Sequence, residues 1–388
     1  MEQICIRKEV AILVLMAAFL GGYVAGPALP WMKEADVPSG ARPSETNEPA
    51  IRHYAEALVH IERDAMFSTP ADSPQEIVAS SLRAYLGQKD PYSDFLTKEE
   101  YAKFMEASRG EQTGIGMDIE KRRNGDILCY PIPNGPAAQA GVKPGEQLLS
   151  LDGVATRGKS LPAIVSLAAG RQGIPIVAEL ENSSGNRRLV SIIRARFSAQ
   201  PVSEYTHRSS RIIRLASFTP NTRQELDYLV SKQRQHDHII IDLRGCGGGD
   251  FYAAVDSAML FLAKGEEIVS VSGRSGSQDY SATISHAPPA QRIFLWQDEF
   301  TASAAEIFIA ALTENDRGIS VGTATAGKGT RQDIIKLQDG AALILTTGYL
   351  LTPRGVQFDG SGLRPMHQVE GDAPDEDDFL SKTAMLTG

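Results

Sequence analysis

The chain has few cysteines and no excess of basic residues. Its 388 residues include three cysteines, Cys5, Cys129 and Cys246. So few cysteines exclude a disulfide-rich scaffold. Acidic residues outnumber basic ones by 48 to 39, and the formal net charge is −9. Because a nucleic-acid partner calls for basic patches, this balance argues against one.

The histidines do not form a recognisable metal site. There are seven, they are scattered, and none has the His-Glu-x-x-His spacing of a zinc peptidase. His236 and His238 flank the start of an apolar run, which is typical of surface positions. We therefore expect no metal, and no histidine stands out as a catalytic base.

The N-terminus carries the longest apolar run. Arg7 and Lys8 precede it, and it continues to about residue 30. A charged head before an apolar run is typical of an export signal. Residues 9–30 are also long enough to remain as an anchor in the inner membrane. We therefore expect residues 1–30 to be a signal peptide or membrane anchor, followed by a linker over 31–50. The protein would then be periplasmic or otherwise extracytoplasmic, in the cell envelope.

The rest of the chain changes character twice. Residues 51–112 show helical spacing and helix caps at Ser73 and Thr97, with no evident chemistry. Residues 113–196, the β-rich module, alternate short strands with Gly and Pro turns around one helix at 161–169, which suggests a binding domain.

Residues 197–370 alternate strands and helices, which predicts a sheet covered by helices. The overall fold class is therefore expected to be mixed α/β. Residues 371–388 form an acidic tail that we expect to be exposed.

The segment from Val321 to Thr330 nearly matches a phosphate-binding loop. Gly329 occupies the place where such a loop needs Ser or Thr for Mg²⁺. The loop must also open a helix, whereas the following residues read as a hairpin with Asp339-Gly340 at its turn. A nucleotide-dependent enzyme therefore stays a weak alternative.

A second motif surrounds Ser303, which is followed three residues later by Glu306. This spacing fits an ordinary capping box. It also fits a nucleophile at a strand-to-helix turn, where small neighbours leave room for substrate. Such a serine needs a base. Lys328, between two glycines, could act as one if burial lowered its pKa from about 10.4.

A third motif runs from Asp242 to Gly249, where a buried strand ends in a run of glycines. The carboxyl ends of strands are where α/β sheets place ligands. Backbone N–H groups there could form an oxyanion hole. A glycine-rich turn without a ligand is an equally good interpretation of this motif alone.

Together and in this order, the motifs resemble those of the carboxyl-terminal processing proteases, also called tail-specific proteases, which are PDZ-containing Ser/Lys peptidases. The matching core segments are Asp242-Leu243-Arg244, Thr301-Ala302-Ser303-Ala304-Ala305-Glu306 and Gly327-Lys328-Gly329. Upstream, residues 90–101 resemble the helical segment before the family's PDZ domain. Residues 114–117 resemble a PDZ carboxylate-binding loop, and residues 134–153 resemble the PDZ consensus. The resemblance covers roughly residues 50–370.

The resemblance implies a role for each matching position. Ser303 would be the nucleophile, Lys328 the general base, and Gln332 a residue that orients the lysine. Supporting roles would fall to Glu306, Asp242 and Arg244, and the oxyanion donors would be backbone N–H groups of Ala304 and Gly248. The N–H groups of Gly114, Ile115, Gly116 and Met117 would hold a substrate's terminal carboxylate.

The resemblance also implies partners. Substrates would be proteins with apolar C-terminal tails, no cofactor would be needed, and a homo-oligomer and an activating adaptor would be expected. One departure matters: the glycine loop, residues 245–249, lacks the family's proline. Because extra glycines raise the entropy cost of ordering, substrate or a partner is expected to order this loop. A catalytically silent PDZ scaffold that binds protein C-termini therefore remains an alternative.

Overall fold

The computed structural model describes residues 48–66, 73–108, 113–122, 124–132, 134–159, 161–196, 200–233, 238–283, 288–371 and 374–387. The expected signal peptide or anchor lies outside the described residues, as does nearly all of the expected linker. None of the helices that the structure does describe is both long and apolar enough to cross a bilayer.

The N-terminal region is helical, with one short strand. Its elements are α1 (Glu48–Asp64), α2 (Pro74–Lys89), β1 (Asp94–Leu96) and α3 (Lys98–Ser108). The hydroxyl of Ser73 accepts a hydrogen bond from the Glu76 nitrogen and caps α2. Thr97 and Glu100 bond each other's backbone nitrogens at the start of α3. The sequence predicted both caps.

The β-rich module is built on an antiparallel sheet. Its elements are β2 (Thr113–Gly114), β3 (Met117–Lys121), β4 (Ile127–Pro131), α4 (Pro136–Gln139), β5 (Gln147–Leu151), β6 (Val154–Ala155), α5 (Leu161–Ala168), β7 (Pro175–Glu181), β8 (Arg187–Ile193) and β9 (Ala195–Arg196). The strand order is β3-β4-β5-β7-β8, with β6 paired to β5. Alternate residues of β7 and β8 are buried, so one face of the sheet packs on the module's own core.

The third region contains a six-stranded sheet, ordered β10-β11-β12-β15-β16-β19. Its strands are β10 (Val202–His207), β11 (Ser210–Leu215), β12 (His238–Asp242), β15 (Arg292–Gln297), β16 (Gly318–Gly322) and β19 (His367–Gln368). All neighbours are parallel except β10 and β11. Three helices pack on one face, α6 (Thr222–Lys232), α7 (Phe251–Ala258) and α8 (Ala304–Glu314). The mixed α/β fold is confirmed.

The third region also contains strands of a second sheet. Its strands are β13 (Glu267–Gly273), β14 (Gly276–Ser281), β17 (Thr330–Lys336) and the ten-residue β18 (Ala342–Leu351). The hairpin of β17 and β18, with Asp339-Gly340 at its turn, is confirmed. No helix follows Lys328, so the nucleotide interpretation lacks the element that it requires. On its other side β18 pairs with β13 and with β1 of the N-terminal region.

The acidic C-terminal tail was expected to be exposed, but part of it is buried. Its last part forms α9 (Glu376–Thr387), which covers the other face of the six-stranded sheet. Phe379 and Thr383 are buried, and the Trp296 indole nitrogen donates a 2.9 Å hydrogen bond to the Thr383 hydroxyl. Phe379 and Thr383 are four residues apart and therefore lie on the same face of α9. Burial of this face keeps the helix docked on the sheet although the segment is rich in acidic residues.

Candidate active site

Ser303 lies at a strained turn between β15 and α8. Its backbone angles are φ 56° and ψ −116°, which non-glycine residues rarely adopt. Its neighbours Ala302 and Ala304 are small and buried, while Ser303 itself lines an open cavity. The backbone thus directs a hydroxyl outward at the N-terminus of a helix, as the nucleophile hypothesis requires.

Glu306 holds this turn to the loop that carries Lys328. The carboxylate is fully buried and accepts four hydrogen bonds. Oε2 accepts from the backbone nitrogens of Ser303 at 2.8 Å and Lys328 at 2.9 Å. Oε1 accepts from the Thr325 hydroxyl at 2.5 Å and the Gly327 nitrogen at 2.8 Å. Burial raises the pKa of Glu306 to about 7, while these four donors favour the ionised form.

Lys328 is almost fully buried in this loop. Burial lowers the pKa of its amine, and the positive charge of Arg122 lowers it further. The carboxylates of Glu120, Glu306 and Asp118 act in the opposite direction. A buried lysine with a lowered pKa has a larger neutral fraction, and only the neutral amine can take a proton.

Gln332 lies on β17, just beyond Lys328, and lines the same cavity as Ser303. Its amide nitrogen donates to the hydroxyls of Thr330 at 2.9 Å and Thr346 at 3.2 Å. The Thr346 hydroxyl in turn donates to Asp90 at 2.6 Å. The N-terminal region therefore contacts the site through Thr346, which sequence reasoning missed.

The cavity between Ser303 and Gln332 has a volume of about 40 Å³. Its walls combine the apolar residues Phe251, Ala304, Ile307 and Leu350 with polar ones, Ser303, Thr330, Arg331 and Gln332. The apolar part of the wall suits an apolar side chain.

Gly248 and Ala304, the two expected oxyanion donors, lie side by side. A Cβ placed on Gly248 would be 3.0 Å from the Ala304 nitrogen and 2.9 Å from the Ser303 Cβ. Gly248 has φ 107°, a conformation that only glycine adopts readily. The two residues therefore lie where an oxyanion formed at Ser303 could be bound.

The glycine loop is ordered by the protein itself, contrary to the expectation from its composition. The Gly245 nitrogen donates to Asp298 at 2.8 Å, and the Cys246 carbonyl accepts from the Ala302 nitrogen at 2.9 Å. The Gly248 carbonyl accepts from the Phe218 nitrogen at 2.8 Å. These bonds offset the entropy cost that the glycines impose.

Asp242 and Arg244 lie on the other face of the sheet from Ser303. Asp242 accepts two 2.8 Å hydrogen bonds from the Arg244 side chain and is paired with Arg214 at 2.8 Å. Burial opposes ionisation, but the two arginines prevail and lower the pKa of Asp242 to about 2. The pair holds the start of the glycine loop and does not touch Ser303 directly.

The expected carboxylate-binding turn lies at the edge of the β-rich module. Gly114 ends β2, Ile115 is buried, Gly116 has φ 62°, and Met117 begins β3. A Cβ on Gly116 would lie 2.5 Å from the Pro136 ring, so this turn needs glycine. Within the described residues β3 pairs with β4 alone and is an edge strand, and α5 packs beside it.

The module also contacts the catalytic region. Tyr130 packs on the glycine loop. Its ring is close enough that a Cβ placed on Gly247 would lie 3.4 Å from it. Arg122 donates a 3.3 Å hydrogen bond to the Ala326 carbonyl, two residues before Lys328.

Two family models match these regions. Residues 211–369 match peptidase family S41, and residues 127–177 match a PDZ domain. The chain is an S41 serine peptidase with a PDZ domain. The S41 match spans Ser303, Lys328 and the glycine loop, and the PDZ match includes β4, β5 and α5.

Individual S41 relatives are similar over most of the chain. Carboxy-terminal processing protease CtpA of Bacillus subtilis is 28% identical over 340 residues, covering 87% of this chain and 72% of that protein. A probable CtpA-like serine protease of Staphylococcus saprophyticus is 28% identical over 337 residues, covering 82% and 68%. A solved photosystem II D1 C-terminal processing protease matches with a TM-score of 0.70 and 25% identity, covering 86% of this chain and 95% of that one. This S41 peptidase is therefore of the carboxy-terminal processing type.

Proposed function

We propose that this peptidase cleaves protein substrates bearing apolar C-terminal tails, with Ser303 as nucleophile and Lys328 as general base. The observation that supports this most directly is the buried Glu306 carboxylate, which binds the backbone of both residues through one oxygen. A purely structural capping box would not need to fix a second, distant loop.

The first half of the reaction forms an acyl-enzyme. Neutral Lys328 takes the hydroxyl proton of Ser303, whose Oγ attacks the scissile carbonyl carbon. The resulting oxyanion accepts hydrogen bonds from the N–H groups of Gly248 and Ala304. When the carbonyl re-forms, the C–N bond breaks and the lysine returns the proton to the leaving amine.

Water completes the cycle. Lys328, neutral again, takes a proton from water, and the hydroxide attacks the ester carbon. The Ser303 oxygen leaves and regains its proton from the lysine. Gln332 keeps the polar side of the cavity fixed through its two threonine contacts.

Tail recognition falls to the PDZ domain. A tail would add as a strand to the edge of β3, with its carboxylate on the N–H groups of residues 114–117 and its side chains toward α5. The apolar residues in the wall of the cavity beside Ser303, which are Phe251, Ile307 and Leu350, would favour an apolar residue at the cleaved bond. The charged head and apolar run at residues 7–30 resemble an export signal. This supports the proposal that the enzyme and its substrates are located in the cell envelope.

A homo-oligomer is part of the same proposal. Helix α1 exposes Ile51, Tyr54 and Val59, at 49%, 43% and 55% of their surface. An exposed apolar helix face of this kind suits contact with another protein surface.

The test is cleavage of an unfolded protein with an apolar C-terminal tail. The parent chain would be compared with Ser303→Ala, Lys328→Ala and the matched control Lys336→Ala, an exposed lysine on β17. The parent and the control should cut, and the other two should not. If all four bind the tail and none cuts, the chain is a silent binder. If Lys328→Ala cuts like the parent, the lysine is not the base.

A further inference from the structure

Arg244 is held between two aromatic rings. Its guanidinium carbon lies 4.9 Å from the ring of Trp296 on β15 and 4.6 Å from the ring of Phe379 on α9. Stacking and cation–π attraction both favour this arrangement, and burial strengthens it. The same guanidinium binds Asp242 through two atoms, so its position is fixed on three sides.

Helix α9 is docked firmly enough to set the position of Phe379. The Trp296 and Phe379 rings are 5.5 Å apart, and the Trp296 nitrogen binds Thr383 one turn further along. At the start of the helix, Asp377 bonds His207 at 2.5 Å and also bonds Arg208.

Arg244 is also the residue from which the glycine loop departs. Gly245 follows it directly, and Gly248 lies against Ser303 and Ala304. Because glycines accept many backbone conformations, the shape of this loop has to be imposed by its fixed ends and its anchors. Arg244 is the fixed end on the strand side.

We propose that Phe379 is a positioning residue for the oxyanion hole, because it holds Arg244 and thereby the start of the glycine loop. The C-terminal helix then contributes to catalysis from the face of the sheet opposite to Ser303. This inference rests on the proposed reaction at Ser303. It assigns a task to the segment that the sequence alone suggested was an exposed tail.

Two variants on the same helix separate positioning from simple helix docking. Phe379→Leu keeps an apolar side chain and removes the aromatic face over Arg244. Thr383→Val is nearly isosteric and removes the hydrogen bond to Trp296, while it leaves the contact with Arg244 intact. Both weaken the attachment of α9, but only the first touches Arg244.

The full chain would be assayed for kcat and KM, for affinity to a peptide boronate, and for amide hydrogen exchange at residues 245–249. A boronate reports on the oxyanion hole because its adduct with the serine is tetrahedral. Phe379→Leu should lower kcat and boronate affinity together by about tenfold, less than the loss of a whole donor, with KM changed less than about twofold. Exchange in the glycine loop should be faster.

Thr383→Val should lower Tm and leave kcat within about twofold of the parent. Equal losses of kcat in the two variants would show that α9 only stabilises the fold, and so would a Phe379→Leu variant with the parent's kcat and loop exchange. If Phe379→Leu does not fold, Phe379→Met gives the same comparison.

The proposal can fail separately from the proposed reaction. If the parent is no more active than Ser303→Ala, the proposed reaction is wrong. Hydrogen exchange of the glycine loop in Phe379→Leu and Thr383→Val still decides whether Phe379 positions the loop.

Discussion

The backbone nitrogen of Lys328 donates a 2.9 Å hydrogen bond to Oε2 of Glu306. The same oxygen binds the backbone nitrogen of the proposed nucleophile. Glu306 thus holds the backbones of the proposed base and the proposed nucleophile at one carboxylate oxygen. This arrangement provides the fixed geometry on which rate acceleration by orientation depends.

Replacing Glu306 by Gln should break this alignment. A glutamine offers one acceptor oxygen, and its NH₂ group would face N–H donors that now bind a carboxylate. We expect kcat to fall by roughly 100-fold, comparable to the loss of an oxyanion-hole donor. The measurement is kcat on the tail substrate, with Glu299→Gln, an exposed neighbour before α8, as control. A Glu306→Gln variant with the kcat of that control would contradict the alignment.

The PDZ domain should tune the acid limb of the pH–rate profile. With Lys328 as the proposed base, activity should rise with pH as Lys328 loses its proton. Glu120 raises the pKa of Lys328, whereas Arg122 lowers it. Glu120→Gln should therefore move the limb to lower pH, and Arg122→Gln should move it to higher pH. The profile of kcat/KM checks both shifts. Lys121→Gln on the same strand serves as control, and two shifts of the same sign would refute the assignment.

Gly248 should not tolerate a side chain, whereas Gly247 should. A Cβ on Gly248 would lie 2.8 Å from the Ala302 carbonyl oxygen, and its φ of 107° is strained for alanine. The atoms nearest to a Cβ on Gly247 would belong to the Tyr130 ring, the nearest of them at 3.4 Å, an ordinary contact distance. Gly248→Ala should lower kcat at least about 100-fold, while Gly247→Ala stays within about threefold. Equal effects would mean that the loop acts only as a flexible link.

Asp90 and Gln332 should be energetically coupled although they do not touch. Thr346 joins them, since its hydroxyl donates to Asp90 and accepts from Gln332. A double-mutant cycle of Asp90→Ala and Gln332→Ala on kcat/KM should give a coupling of about 1 kcal/mol. Repeating the cycle with Thr346→Val should abolish the coupling. Strict additivity in the parent background would remove the N-terminal region from the site.

Much of the fold followed from local signals in the sequence. Ser73 and Thr97 mark helix starts because a hydroxyl can bind an orphan N–H, and Asp339-Gly340 marks a hairpin turn. Such signals act over a few residues, so they can be recognised without knowledge of the tertiary structure. The segments around Ser303 and Lys328 could be recognised in the same way, because each is a short motif.

The features that could not be predicted from the sequence depend on contacts between residues that are far apart in the chain. Asp90 binds Thr346, and Glu120 acts on Lys328 from another domain. Glycine composition alone suggested a disordered loop, because it does not show that Phe218, Asp298 and Ala302 hold that loop. In each case the deciding partner is far away in the chain.

The pairing of β1 with β18 also sets an order of assembly. Asp94 lies opposite Ile344, so the first strand among the described residues cannot pair until β18, one of the last, has been made. Closing so long a loop is slow, and it cannot begin during synthesis until residue 344 has left the ribosome. Gln332 gains its Thr346–Asp90 support only at that stage. A nascent chain therefore completes this part of the candidate site only after β18 has been made.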